Sequence, residues 1–160
     1  MKIGLMSDTH GNTDNIDQAV AMAGELSMWI HTGDLVSDAE YLALVTEIPV
    51  ISVAGNCDWG NTKAPNEKIV ELPGHKIFAT HGHLYGVKGN IYPLAQAAEK
   101  YGADIAVFGH SHVAQICHTN NLLIINPGSL SFPRDNQGKS FVVLELCNDG
   151  TVDAHKYNIK

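Results

Sequence analysis

The stretch KIGLMSDTHGNTDNIDQAVAMAGEL, from Lys2 to Leu26, decides the fold. Lys2–Met6 is an apolar run short enough for a buried strand. It stops at the polar group Ser7-Asp8-Thr9-His10-Gly11. From Asn12 onward the spacing becomes helical, with Ile16, Ala19, Val20 and Ala23 on one face. Asn12 or Thr13 stands where a cap belongs. A strand, a polar loop and an amphipathic helix in succession make the first half of a βαβ unit.

The pattern continues. Met28–His31 reads as a second strand. Residues 38–47 read as a helix with Tyr41, Val45 and Ile48 on one stripe, and Val50–Val53 as a third strand. Short strands alternating with helices predict a parallel sheet. The rhythm then changes. EKIVELPGHKIFATH, Glu67 to His81, reads as strand, turn and strand around Pro73-Gly74. Residues 91–102 form a helical pattern carrying Ile91, Leu94, Ala98 and Tyr101, and DIAVFGH, Asp104 to His110, is another strand. The remainder reads as two hairpins, with turns at Asn120-Asn121 and Asp149-Gly150. The expectation is an α/β front and a mostly antiparallel back. Sheets packed together with helices outside would bury all of these runs.

The chain has 160 residues, so residues 1–160 are expected to form one domain. That length can bury about two-thirds of the unfolded surface. Ten basic and seventeen acidic residues give a net charge of −7. This argues against nonspecific nucleic-acid binding, which requires a basic patch. It does not exclude a locally cationic site built from metal ions. No apolar run approaches the ~18 residues of a membrane span. The start, MKIGLMSDTH, loses its apolar run at Ser7-Asp8, too early for a secretory signal. Three cysteines without a CxxC do not make a disulfide framework. A reduced, cytoplasmic protein is expected.

The strand ends carry the chemistry. Asp8 and His10 follow the first strand, Asp34 the second, and Asn56 the third. His81 and His83 follow KIFA, and His110 and His112 follow IAVF. Ligand sites in open α/β sheets lie at such carboxyl ends. A lone HxH means little, since nine histidines in this length give about 0.5 such pairs by chance. Five polar strand ends, each with a glycine nearby, mean more. In extended chain, residues i and i+2 face the same side about 6.6 Å apart, so Asp8 and His10 can meet one ion. His110 and His112 can serve one ion or two neighbouring ones.

The set D-x-H, GD, GN, H-x-H and GH-x-H, in this order, resembles the calcineurin-like metallophosphoesterases, and within them the small bacterial and archaeal phosphodiesterases. The resemblance runs from Lys2 to the final hairpin and includes NPGS, Asn126–Ser129. It implies an α/β fold of two packed mixed β-sheets flanked by helices, a four-layer αββα sandwich. It implies two divalent transition-metal ions per chain, with manganese the first choice and nickel, iron, zinc or cobalt as alternatives. Asp8, His10, Asp34 and His112 would hold one ion. Asp34, Asn56, His81 and His110 would hold the other, with Asp34 bridging and a hydroxide between the ions. The implied activity is hydrolysis of small phosphate esters, most of all diesters.

One position departs from the pattern. Many relatives carry a histidine after the GN asparagine as acid for the leaving group; here it is Cys57, followed by Asp58. This favours diesters with good leaving groups. Metal-bound groups need outer partners, which makes His83 a supporting residue and a candidate proton donor rather than a ligand. His31, His75, His118 and His155 are expected to be surface or satisfied core histidines without a role. Asn12 is expected to be a cap and Arg134 a solvated loop residue. A scaffold of the same fold, like the retromer subunit, is the rival reading. All seven ligand positions are filled, which favours the enzyme. Natural substrate and oligomeric state, including a homo-oligomer, stay open at this level.

Overall fold

The computed structural model describes residues 1–160. Ten strands and three helices follow in the order β1 (Lys2–Met6), α1 (Thr13–Ala23), β2 (Met28–His31), α2 (Val36–Thr46), β3 (Val50–Ser52), β4 (Glu67–Leu72), β5 (His75–Thr80), α3 (Tyr92–Lys100), β6 (Ile105–Val107), β7 (Gln115–Thr119), β8 (Leu122–Asn126), β9 (Ser140–Leu146) and β10 (Val152–Asn158). They build two five-stranded sheets, ordered β10-β9-β1-β2-β3 and β4-β5-β6-β8-β7. In the first, β1, β2 and β3 run parallel, and the C-terminal hairpin joins antiparallel beside β1. In the second, β5, β6 and β8 run parallel, with β4 and β7 antiparallel at the edges. The back half is therefore mixed rather than mostly antiparallel: β5, α3 and β6 form a crossover, which hairpin signals alone do not reveal.

Burial follows from this layering. Ile3 and Leu5 of β1 face across to Ile77, Ala79, Ile105, Val107 and Ile125 of the second sheet, in an apolar layer between the sheets. On the outer side of the first sheet, Ile16, Ala19 and Leu42 of the helices cover Met6, Trp29 and Phe141. On the outer side of the second, Leu94, Ala95 and Ala98 of α3 cover Phe78, Ala106 and Ile124. The result is a four-layer αββα sandwich, as the resemblance implies. Strands buried on both faces read as continuous apolar runs, which is why they stand out in the sequence.

Local details mostly match the sequence pattern. Asn12 caps α1, its side chain accepting from Asn15 N–H. In α2 the buried stripe is Val36, Ala39 and Leu42, one position off the expected Tyr41–Val45–Ile48 stripe. Tyr41 and Ile48 lie at the edge of the packed face, while Val45 is exposed. No helix is long and apolar enough to cross a membrane.

Gly4 lies in the middle of β1, and a Cβ there would overlap the Trp29 ring. Trp29 is fully buried and cannot swing away cheaply. Gly4→Ala is expected to cost about 1–3 kcal/mol through overpacking. A lower urea midpoint with an unchanged slope would report it; an unchanged midpoint would mean the ring has room to shift.

Candidate metal centre

The parallel strands of both sheets end at one edge of the sandwich, and the expected ligands come from those ends. Asp8 and His81 are fully buried, Asp34 and His112 nearly so, His10 and His110 half-buried, and Asn56 exposed. His112 Nε2 stands 3.1 Å from Asp8 Oδ1 and 3.4 Å from His10 Nε2. His81 Nε2 stands 3.4 Å from Asp34 Oδ2, 3.1 Å from Asn56 Oδ1 and 3.9 Å from Asp8 Oδ1. Three overlapping groups have all their donor atoms within 4.8 Å of one another: Asp8-His10-His112, Asp8-Asp34-His81 and His10-Asp34-Cys57. His110 belongs to none of these groups; its ring lies against His81 with centroids 5.1 Å apart. His83 flanks both rings, 5.4 Å from His81 and 6.1 Å from His110.

The backbone is bent into this shape at a cost. Seven non-glycine residues have positive φ, and five are expected ligands: Asp8 (54°), His10 (46°), Asp34 (48°), His110 (64°) and His112 (59°). Such conformations cost of order 1–3 kcal/mol each and persist only where the surroundings impose them. Two glycines permit the approach. A Cβ on Gly55 would collide with the Asp34 carboxylate, and one on Gly109 with Ser7 Oγ and Asp8 Oδ2.

Hydrogen bonds fix the ligands from behind. His81 donates Nδ1–H to Thr32 O at 2.7 Å, and His112 donates Nδ1–H to Phe132 O at 2.7 Å. Both Nε2 lone pairs are thereby turned inward, the arrangement metal-ligating histidines adopt. Asp8 Oδ2 accepts from His110 N–H, and Asp34 Oδ1 accepts from Cys57 N–H at 2.9 Å. Asp8 Oδ1 is buried without a hydrogen-bond partner. Its close neighbour, His112 Nε2, is not aligned as a donor. Acceptors facing acceptors in a buried space require a proton or a cation between them. The donor set, carboxylate and imidazole, suits a divalent transition metal.

Charge in the site follows the same logic. Burial opposes ionisation of Asp34, but the His81 imidazole 3.4 Å away and the Cys57 N–H override it and hold its carboxyl below the usual range. Burial also opposes protonation of His81 and His112, yet the nearby carboxylates, Asp34 and Asp8 for the first and Asp8 for the second, raise both. His110 moves the other way. Burial, then the charges of His81 and Lys88, push it down to about 4. The Cys57 thiol is pushed up to about 11, by burial and then by Asp34.

Residues outside the expected set hold the loops together. Asp58 Oδ2 accepts from Gly55 N–H at 2.7 Å, and its Oδ1 accepts from Val36 N–H at 2.7 Å, tying the GN loop to the start of α2. In the NPGS turn, Asn126 Nδ2 donates to Gly109 O, and Ser129 Oγ donates to Asp8 O at 2.8 Å. A buried chain links the first two strand ends. Thr9 Oγ–H donates to Asp38 Oδ2 at 2.5 Å, and Gly11 N–H donates to the same oxygen at 2.8 Å. His31 Nε2–H then donates to Thr9 Oγ, while its Nδ1 accepts from Gly33 N–H at 3.2 Å. His31 is thus a satisfied core histidine, as expected, but also the strut between the Asp8 and Asp34 loops. The sequence signal was present, a histidine three residues before the GD aspartate, but its partners lie on other elements.

The profile of the calcineurin-like phosphoesterase superfamily domain matches residues 1–149. A Bacillus subtilis protein named as a probable metallophosphoesterase is 37% identical over 152 residues, covering 93% of this chain and 86% of its own length. A Methanocaldococcus jannaschii protein named as a phosphodiesterase is 32% identical over 148 residues, covering 80% of this chain and 83% of its own. Among solved structures, a single mutant of Vps29 from Entamoeba histolytica superposes with a TM-score of 0.76 over 100% of both chains, at 23% identity, which establishes a shared fold.

His31 titration offers a test of the strut. Burial, joined by the charge of His81, pushes its pKa from 6.5 to about 4, against the pull of Asp38, Asp8 and Asp58. The folded state therefore refuses a proton that the unfolded state accepts. The stability this confers is complete above pH 6.5 and is lost as pH falls to about 4. The loss amounts to roughly 3 kcal/mol. His31→Gln lacks the term, so the difference between the two stability curves should change by that amount between pH 6.5 and 4. A constant difference would show that His31 is protonated in the fold.

Proposed function

We propose that this chain, which belongs to the calcineurin-like phosphoesterase superfamily, is a metal-dependent phosphodiesterase with a dinuclear centre, built as one domain over residues 1–160. The observation that carries this reading is the gathering of three strained histidines, His10, His110 and His112, around the buried and equally strained Asp8 and Asp34 carboxylates. Asp8, His10, Asp34 and His112 would hold one ion, and Asp34, Asn56, His81 and His110 the other. Manganese is the first metal to try. Bound ions would supply Lewis-acid stabilisation of the phosphoryl group and a lowered pKa for the attacking water. Three unpaired cysteines fit a reducing, cytoplasmic setting.

The chain's own residues divide the remaining tasks. Asp34 stays ionised at neutral pH because His81 and Cys57 N–H hold its charge. His110 stays neutral, keeping a lone pair free. Lys88 and Arg134 bring positive charge near His110 and His112 respectively, which favours an anionic phosphate in an acidic protein. Cys57 points its sulfur among His10 and Asp34, where relatives place a histidine acid. Its thiol, pushed up to about 11, keeps its proton at pH 7 and gives it up poorly. His83, with its buried Nδ1 unpartnered, is the remaining candidate to contact a substrate oxygen. A purely structural scaffold of this fold has no need for buried, strained carboxylates, so the scaffold reading is not favoured.

The direct test is metal-dependent hydrolysis of bis(p-nitrophenyl) phosphate. Stripped protein should be inactive and regain turnover with Mn²⁺. Asp34→Asn keeps the shape and the acceptor for Cys57 N–H but removes the shared charge. It should lower kcat by at least about 10²-fold without lowering the unfolding free energy from urea titration by more than about 1 kcal/mol. Wild-type turnover by this variant at limiting metal would remove Asp34 from the bridging role.

Cys57 makes a second prediction. Without an effective acid, departure depends on the stability of the leaving anion, so kcat/KM should fall steeply as leaving-group pKa rises. Cys57→His should flatten that dependence, since general acid assistance contributes about 10²–10⁴-fold. A flat dependence already present in the wild type, with chemistry rate-limiting, would mean that His83 or another group supplies the proton.

A further inference from the structure

A cavity of about 260 Å³ opens beside the candidate metal centre, lined by His10, Gly11, Asn12, Asp14, Ser131 and Phe132. Its position is notable because His10 is shared between the cavity and the ligand cluster. A substituent extending from a phosphate at the ligand cluster past His10 would enter this space.

Phe132 lines this cavity. It is a large apolar side chain that is 60% exposed. Its backbone is nonetheless held firmly: its N–H donates to Ser129 Oγ at 2.9 Å and its carbonyl accepts from His112 Nδ1. The ring contacts His10 in a tilted arrangement, with centroids 5.4 Å apart and planes at 56°. An exposed phenyl ring that lines a cavity on a pinned loop offers a stacking platform for another planar ring.

Charge narrows the ligand. Asp14 lines the cavity and disfavours a second anionic group there. Arg134, the chain's only arginine, lies two residues beyond Phe132 on the same loop. Its charge is felt at His112, so the same loop carries a cation near the ligand cluster and an exposed apolar ring. A polar rim of Asn12, Thr13 and Ser131 can meet edge atoms of a heteroaromatic ring.

We infer that the cavity beside His10 binds the retained substituent of the diester, and that this substituent carries a neutral planar aromatic ring stacked on Phe132. The inference rests on the phosphodiesterase reading and names the substrate class within it: phosphodiesters with one aryl or nucleoside substituent, rather than dialkyl esters or nucleoside polyphosphates. Phe132 is then a specificity-determining residue.

The test holds the leaving group constant and varies the retained group. The three probes are the p-nitrophenyl esters of methyl phosphate, phenyl phosphate and thymidine 5′-phosphate, each releasing p-nitrophenolate. With the metal-loaded wild type, KM for the phenyl and thymidyl esters should be about tenfold below that for the methyl ester. Phe132→Ala should bring the ratio close to one, and Phe132→Tyr should restore it. Tyr92→Ala, an exposed aromatic on α3, should leave the ratio as in the wild type. Binding without turnover gives an independent readout. Diphenylphosphinate, which has no ester bond, should bind more tightly than dimethylphosphinate by calorimetry, and Phe132→Ala should remove the preference. A preference for the thymidyl ester alone assigns the natural ring to a nucleoside, and equal preference assigns it to aryl groups generally; either supports the stacking site. Equal KM for all three esters, or a ratio unchanged by Phe132→Ala, overturns it while leaving the phosphodiesterase reading intact. Failure to hydrolyse any of the three with any added metal overturns that reading itself.

Discussion

Two carboxylates buried at the ends of neighbouring parallel strands are the constraint around which the structure is arranged. Asp8 and Asp34 sit almost wholly out of water, where an uncompensated charge is costly. Every nearby element compensates. Backbone N–H groups of His110 and Cys57 reach one oxygen of each. Imidazoles anchored by their Nδ1–H groups turn Nε2 toward the remaining oxygens. What is left over, an acceptor-lined space around Asp8 Oδ1, is a space shaped for cations.

The sandwich exists to hold that space. Hairpins and crossovers bring the parallel strand ends of both sheets to one edge, and the apolar layer between the sheets keeps them in register. The strain of five residues at positive φ is stable only because the loops are cross-tied. Asp58 ties the GN loop to α2, Ser129 ties the NPGS turn to Asp8, and Asp38, Thr9 and His31 tie the first two strand ends. Stability spent on strain at the site is drawn from the packed core behind it.

Much of this was legible in the sequence, for identifiable reasons. Strands β1, β2, β5 and β8 are buried on both faces and so read as unbroken apolar runs. Asn12 and the Asn120-Asn121 and Asp149-Gly150 turns have local chemistry that fixes local shape. The ligand candidates stood out because each ends such a run, and the structure gathers Asp8, His10, Asp34, Asn56, His81 and His112 at contact distance while placing His110 beside them. The mixed order of the second sheet came only from the family resemblance and not from residue patterns, because parallel pairing of β5, β6 and β8 depends on nonlocal contacts. Nor was the true stripe of α2, where Tyr41 and Val45 look apolar by type but sit at the rim. The Thr9–His31–Asp38 strut escaped because its three members lie on three different elements, and Phe132 because an exposed aromatic next to a proline has no periodicity to betray it.

The central claim is that these loops form a two-cation site. Its most direct measurement is the metal stoichiometry of stripped wild-type protein titrated with Mn²⁺, followed by calorimetry and by elemental analysis of the saturated protein. The account predicts two ions per chain, with full turnover only after the second has bound. Saturation at one ion per chain with full turnover would contradict it.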